Sequence, residues 1–291
     1  MNVISPPQTG PTLFHYTDAA GLVGIIRNRE VWATGSNYLN DPTEVVFAAA
    51  ALRARLRSVH TDPERVSAAL DVLETYIDPH SPDQYQEDRS FITSFSRSDQ
   101  NLTLWRLYGG SGGFCIGFDE RHLLRWIGHD LPAADTGDLN VAELEELHAL
   151  RANYQLSARI DDVSYGEQHI GAILAAIMEV PLDLELSHLR VAMNNLSGIK
   201  HLAFEDEREA RLIIQESHHS AVDPQVRVSA SGGLLAYRRV VFPFEAIQSV
   251  TMAPGANVPQ QRRALQALMA QGGRAPYSHV DIRECDLPFV W

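Results

Sequence analysis

Leu102-Thr103-Leu104-Trp105-Arg106-Leu107-Tyr108 runs into Gly109-Gly110-Ser111-Gly112-Gly113 and then into Phe114-Cys115-Ile116-Gly117-Phe118. The first segment has the spacing of a short amphipathic helix, the second breaks it, and the third is a continuous apolar run that suits a buried strand. The order is helix, glycine loop, strand. A phosphate-cradling loop needs strand, loop, helix, so that a helix N-terminus faces the phosphate. The five-residue loop therefore reads first as a helix stop and tight turn. Close backbone approach to a ligand is its second possible use.

Outward from this stretch, strands and helices are interspersed without a repeating strand–helix–strand rhythm. Strands are expected at 12–17, 31–34, 91–96, 114–118, 163–165, 208–215, 234–242, 247–252 and 280–285. Thr17 or Asp18 caps a helix marked by Leu22, Ile25 and Ile26. Asn40-Asp41-Pro42-Thr43 signals a turn and the start of a helix to about residue 59, and a second helix follows Asp62-Pro63-Glu64. Residues 119–160 read as helical and acidic, 167–203 as mostly helical with a break at Pro181, and 259–271 as a last helix. This pattern predicts an α+β fold: a mixed, mainly antiparallel sheet with helices packed around it. Residues 1–11 read as a flexible arm. Residues 12–291 read as one domain with a helical insertion at about 119–203.

The 291 residues carry 37 acidic and 24 basic side chains, a formal net charge of −13. That balance argues against a general nucleic-acid coat or an anionic-membrane binder. The hydrophobic fraction of 45% is that of an ordinary globular chain. No apolar run approaches a membrane span, and the opening residues lack the features of a signal peptide. The expectation is a cytoplasmic protein. Cys115 and Cys285 are the only cysteines, too few for a disulfide framework. Lys200 is the only lysine among the 24 basic residues.

Metal-ligand spacing is poor despite 12 histidines. His201 and Glu205 could share a helix face, but no third ligand is visible, and a capping or solvated histidine is the simpler reading. No metal is expected. There is no serine-nucleophile elbow, and Cys115 in its apolar strand reads as core. Three clusters are richer. Phe14-His15-Tyr16-Thr17 ends a strand, with His15 and Thr17 on one side and Phe14 and Tyr16 on the other. Tyr38-Leu39-Asn40-Asp41-Pro42-Thr43-Glu44 fits a capping box at Asp41, which leaves Asn40 unexplained. In Glu207-Arg208-Glu209-Ala210-Arg211, a strand would put Glu207, Glu209 and Arg211 on one face. Such a face is either a polar groove or a cross-strand ion ladder. Trp105-Arg106-Leu107-Tyr108 places two aromatics about an arginine, a set suited to stacking a ring or holding a phosphate.

The run Leu13-Phe14-His15-Tyr16-Thr17, Gly21-Leu22, Ile25-Ile26, Val31-Trp32-Ala33-Thr34, Tyr38-Leu39-Asn40-Asp41-Pro42 and Glu44 resembles the opening of the bacterial domain of unknown function 2971 family. Phe95-Ser96, Leu104-Trp105-Arg106, Tyr108-Gly109, Gly117-Phe118-Asp119, Lys200, Phe204, Glu207, Glu209, Arg211-Leu212-Ile213 and Tyr237-Arg238 follow in the family's order. Ala210 stands where the family more often has an aromatic. More distantly, a strand ending in His-Tyr-Thr before a Leu/Ile-Ile helix and a short strand is similar to the start of the ADP-ribosyltransferase fold.

That second resemblance implies NAD as substrate, with nicotinamide leaving an oxocarbenium-like ribose. It gives His15 the ribose contact and Glu207 or Glu209 the 2′-hydroxyl and charge-stabilising role. The stacking aromatic would be Tyr38 or Tyr108. Arg106, Arg211 or Lys200 would hold the pyrophosphate. Tyr16, Thr17, Asn40, Asp41 and Trp105 complete the candidate substrate-binding set. The expected function is an ADP-ribosyltransferase or NAD glycohydrolase in bacterial defence or toxicity, acting on a protein or nucleic-acid acceptor and needing no metal and no membrane. The alternatives are a nucleic-acid-processing enzyme (an RNA phosphotransferase or nuclease) and a non-catalytic nucleotide-sensing module.

Overall fold

The computed structural model describes residues 10–38, 42–77, 88–109, 112–125, 156–179, 189, 192–193, 195–217, 224–229, 232–254, 257–270 and 276–288. The chain divides into two compact units, each assembled from separated segments. The first is Met1–Trp32, Ser94–Ala133 and Arg239–Trp291; the second is Ala33–Thr93 and Ala134–Arg238. Together they make a mixed α+β protein whose strands pair mostly antiparallel.

In the first unit, β1 (Thr12–Thr17) pairs antiparallel with β4 (Phe114–Asp119) along its whole length, from Thr12↔Asp119 to Thr17↔Phe114. Beyond β4 lies β11 (Ile247–Met252), antiparallel to it, and then β12 (Asp281–Glu284), parallel to β11. All six residues of β4 are buried, as its apolar run anticipates. A side chain at Gly117 would meet Ser249 Oγ at 2.4 Å and the Phe14 ring at 3.3 Å, so this strand position takes glycine. Helix α1 (Ala19–Asn28) is capped by Asp18, which accepts the Gly21 N–H, and it buries Leu22, Ile25 and Ile26. Its exit is the left-handed Arg29, whose N–H donates to the Ile25 carbonyl.

The second unit has a helical core and a sheet. α2 (Pro42–Arg57), α3 (Pro63–Ile77) and a helix over Ile170–Glu179 bury Leu52, Leu56, Leu73, Ile170, Ile177 and Met193 together. β8 (Glu209–Ser217) pairs antiparallel with β5 (Leu156–Asp162), from Leu156↔Glu216 to Asp162↔Ala210, and also neighbours β3 (Asp88–Ser96). β2 (Glu30–Gly35) pairs with β3 through Thr34↔Ile92 and Gly35↔Phe91. β9 (Gln225–Val228) and β10 (Leu234–Val241) form an antiparallel pair. A separate two-strand parallel pair joins β6 (Ser164–Tyr165) to β7 (Ile199–Lys200).

Three local expectations are corrected. Residues 156–160 belong to strand β5, although the sequence places them in an acidic helical stretch. Leu156, Ala158 and Ile160 alternate with polar residues at a period of two, and a partner some fifty residues away in β8 rewards that alternation. Arg159 reaches across to Gln215 at 2.9 Å. The rest of that stretch, 126–155, lies outside the described residues. The expected helix over 102–108 is α-helical only at Leu102–Leu104 and widens into a π-helical turn over Trp105–Gly109. The close approach of Gly113 to Gly109 comes directly after that turn: a side chain at Gly113 would sit 1.9 Å from the Gly109 carbonyl oxygen. Finally, Glu207 is not on the strand. It ends a 3-10 turn, Leu202–Glu207, and left-handed Arg208 at φ 45° redirects the chain into β8.

Candidate functional site

The densest buried ionic cluster described in the second unit centres on Glu209, the first residue of β8. Arg211 lies two positions along the same strand face and grips it at two points, Nε to Oε1 at 2.7 Å and Nη2 to Oε2 at 2.9 Å. Lys200 Nζ, from β7, donates to Glu209 Oε2 at 3.2 Å and to Glu207 Oε2 at 2.8 Å. Arg211 Nη1 also donates to the Ser197 carbonyl. The Lys200 ammonium stands 4.8 Å from the centre of the Phe204 ring. The buried carboxylates are thus paired with cations, as buried charge requires. The side chains of Glu209 and Arg211 are 6% and 3% exposed, whereas Glu207 is 12% exposed. Glu207 is thus the more accessible carboxylate of the two.

The backbone beneath this cluster is held by one short segment. The Val163 N–H donates to the Glu209 carbonyl at 2.9 Å, and the Gly166 N–H donates to the Lys200 carbonyl at 2.9 Å. Between them, the Tyr165 hydroxyl accepts the Glu209 N–H at 2.7 Å. Gly166 has φ +85°, a left-handed conformation that favours glycine. Burial raises the Tyr165 phenol above its ordinary value and keeps it protonated. Sequence reasoning missed Tyr165; its only signal was a short strand, and the contact spans 44 positions.

Tyr38 also belongs to the second unit. It is 38% exposed, on a 3-10 turn over Ser36–Tyr38, and its ring packs where a side chain on Gly35 would stand. Asn40 and Asp41 lie outside the described residues. Another missed pair is Arg238 and Glu216, both buried. Arg238 donates through Nε at 2.5 Å and Nη2 at 2.8 Å, and its guanidinium lies 5.4 Å from the centre of the Phe91 ring.

The remaining candidates fall in the first unit. His15 Nδ1 lies 3.2 Å from the Ser94 carbonyl, an acceptor only, so Nδ1 carries the hydrogen in that bond. Among the described residues nothing bonds its Nε2. Burial lowers the His15 pKa below its ordinary value, against the opposing pull of the Ser94 carbonyl, so the neutral ring is favoured. Tyr16 faces the other way. Its hydroxyl donates to the Ser98 carbonyl at 2.8 Å and accepts the Asn101 N–H at 3.1 Å. Trp105 is fully buried edge-on to Tyr16 at 5.0 Å, and its indole N–H donates to the Asp99 carbonyl. Arg106 and Tyr108 are exposed on the π-helical turn. Thr17 Oγ1 abuts Gly21 so closely that a side chain there would meet it at 2.0 Å. Cys115 is buried beside Tyr16, as the sequence implied.

His201 caps the 3-10 turn by accepting the Ala203 N–H at 3.1 Å. Among the described residues no group of three metal-ligating side chains converges, and no helix is long and apolar enough to cross a membrane.

Fold and cluster define a mixed α+β protein with a buried lysine–glutamate–arginine network at the start of β8. Residues 104–212 match the family described as "Protein of unknown function (DUF2971)". The resemblance to that family is therefore shown over this segment, which contains Trp105, Arg106, Tyr108, Lys200, Glu207, Glu209 and Arg211. No curated protein and no solved structure matches the chain.

Proposed function

We propose that this protein consumes NAD, as an ADP-ribosyltransferase or NAD glycohydrolase of ADP-ribosyltransferase-like fold, in bacterial defence or toxicity. The observation that carries the reading is the unequal pair of carboxylates. Arg211 holds Glu209 at two points and Lys200 bonds it as well, while Glu207 is bonded by Lys200 and is the more exposed. In this reading Glu207 faces the ribose. The glycosidic C–N bond breaks with its electron pair leaving on nicotinamide, and the ribose gains positive charge as it does so. A fixed carboxylate stabilises that charge more in the transition state than in the ground state. An acceptor hydroxyl or water then forms the new bond to the same carbon and gives up its proton. Lys200 and Arg211 keep the carboxylates oriented. The test is nicotinamide release from NAD, with Glu207→Gln expected to abolish it.

A second reading rests on the same contacts. Because Glu209, Lys200 and Arg211 bond one another, the cluster also suits a non-catalytic nucleotide-sensing module. NAD would then raise the melting temperature without any product forming.

A further inference from the structure

Val163 and Tyr165 hold both main-chain groups of Glu209, and Gly166 holds the carbonyl of Lys200. One four-residue segment therefore fixes the two partners of the 3.2 Å Lys200–Glu209 contact. The three bonds differ in kind. Two are backbone to backbone and survive any side-chain change. The third depends on a single phenolic oxygen, and it meets the chain where left-handed Arg208 delivers it into β8. Tyr165 is also in register with Lys200 across the β6–β7 pair.

We infer that Tyr165 is a positioning residue: its hydroxyl, by accepting the Glu209 amide, sets the geometry of the Lys200–Glu207–Glu209 contacts. Glu207 ends the 3-10 turn and Glu209 begins the strand, so the Glu209 amide is where the two carboxylates' positions are set relative to each other. A hydroxyl acceptor at the strand entrance ends the turn and starts the strand at one defined residue. The positioning role stands on geometry alone. Its consequence for catalysis rests on the NAD reading above.

The test uses the full chain and its single lysine. Wild type and Tyr165→Phe are acylated with an amine-selective reagent across a range of pH, and mass spectrometry separates Lys200 from the chain terminus. In wild type, Lys200 is buried and its Nζ donates to two carboxylates, which leaves it poorly accessible to the reagent. In Tyr165→Phe the rate–pH profile of Lys200 is expected to move to lower pH, with a rate increase of about tenfold at neutral pH. An unmoved profile in a folded variant overturns the inference. Should Tyr165→Phe fail to fold, 3-fluorotyrosine placed at position 165 weakens the hydroxyl as an acceptor with little change of shape; a smaller shift in the same direction is expected, and an unmoved profile overturns the inference. In the nicotinamide-release assay Tyr165→Phe should lower kcat about tenfold or more with KM unchanged. A moved lysine profile with no NAD turnover in wild type sinks the NAD reading and leaves the positioning role standing.

Discussion

Arg211 and Glu209 sit two positions apart on one strand and close a two-point ion pair, at 2.7 and 2.9 Å, with both side chains buried. Neighbours on one strand face rarely need each other, since cross-strand partners are nearer. Here the pair is stabilised by outside anchors, the Ser197 carbonyl on the arginine and Lys200 on the glutamate.

Removing one member of this pair strands the other. Arg211→Leu leaves Glu209 with a deficit of positive charge in a site that excludes water, so a loss of about 3–5 kcal/mol of stability is expected. Urea unfolding monitored by circular dichroism measures it. Exposed Arg263→Leu serves as the control and should change stability by less than about 0.5 kcal/mol.

His15 gives stability a pH dependence of known sign. Its folded pKa lies below the ordinary 6.5, so the unfolded chain takes up a proton at a pH where the folded chain still resists. Stability attributable to His15 is full above that ordinary value and falls as the pH drops through it toward the folded pKa. Melting temperatures of wild type and His15→Gln, compared at about pH 7.5 and 5.5, should show the smaller acid loss in the variant.

The Gly109–Gly113 approach leaves no space for a methyl group, because the obstructing atoms are backbone. Gly113→Ala should cost about 2 kcal/mol or more, or displace the π-helical turn. The fluorescence of Trp105, buried on that turn, reports the displacement alongside the denaturation midpoint.

Both thiols should be inert in the native state. Burial raises the Cys115 and Cys285 thiols above their ordinary value, so little reactive thiolate exists near neutral pH. Iodoacetamide is expected to label neither cysteine in native buffer within the time that labels both in urea. Rapid native labelling of Cys115 would contradict its place in the core.

Much of the architecture was legible. The strand at Thr12–Thr17 and the one at Ile247–Met252 coincide with their apolar patterns, and Leu22, Ile25 and Ile26 fall on the buried side of their helix as spacing implied. β5 was not legible, because its alternation is spread through charged residues and its partner is remote in sequence. The sharing of one face by Glu209 and Arg211 followed from strand alternation, whereas the position of Glu207 did not. A single left-handed residue, Arg208, takes Glu207 out of the strand's period, and nothing in an arginine announces a positive φ. Tyr165 was out of reach for a simpler reason: a side chain bonding a distant backbone amide leaves no periodic trace.

The most direct test is nicotinamide release from NAD by the purified 291-residue chain, with Glu207→Gln and Glu209→Gln beside it and NAD binding measured on the same samples. The account predicts release by wild type that Glu207→Gln abolishes while leaving the fold intact, and a Glu209→Gln variant that is both less active and less stable. Undiminished release from Glu207→Gln, or no release and no NAD binding by wild type, would contradict it.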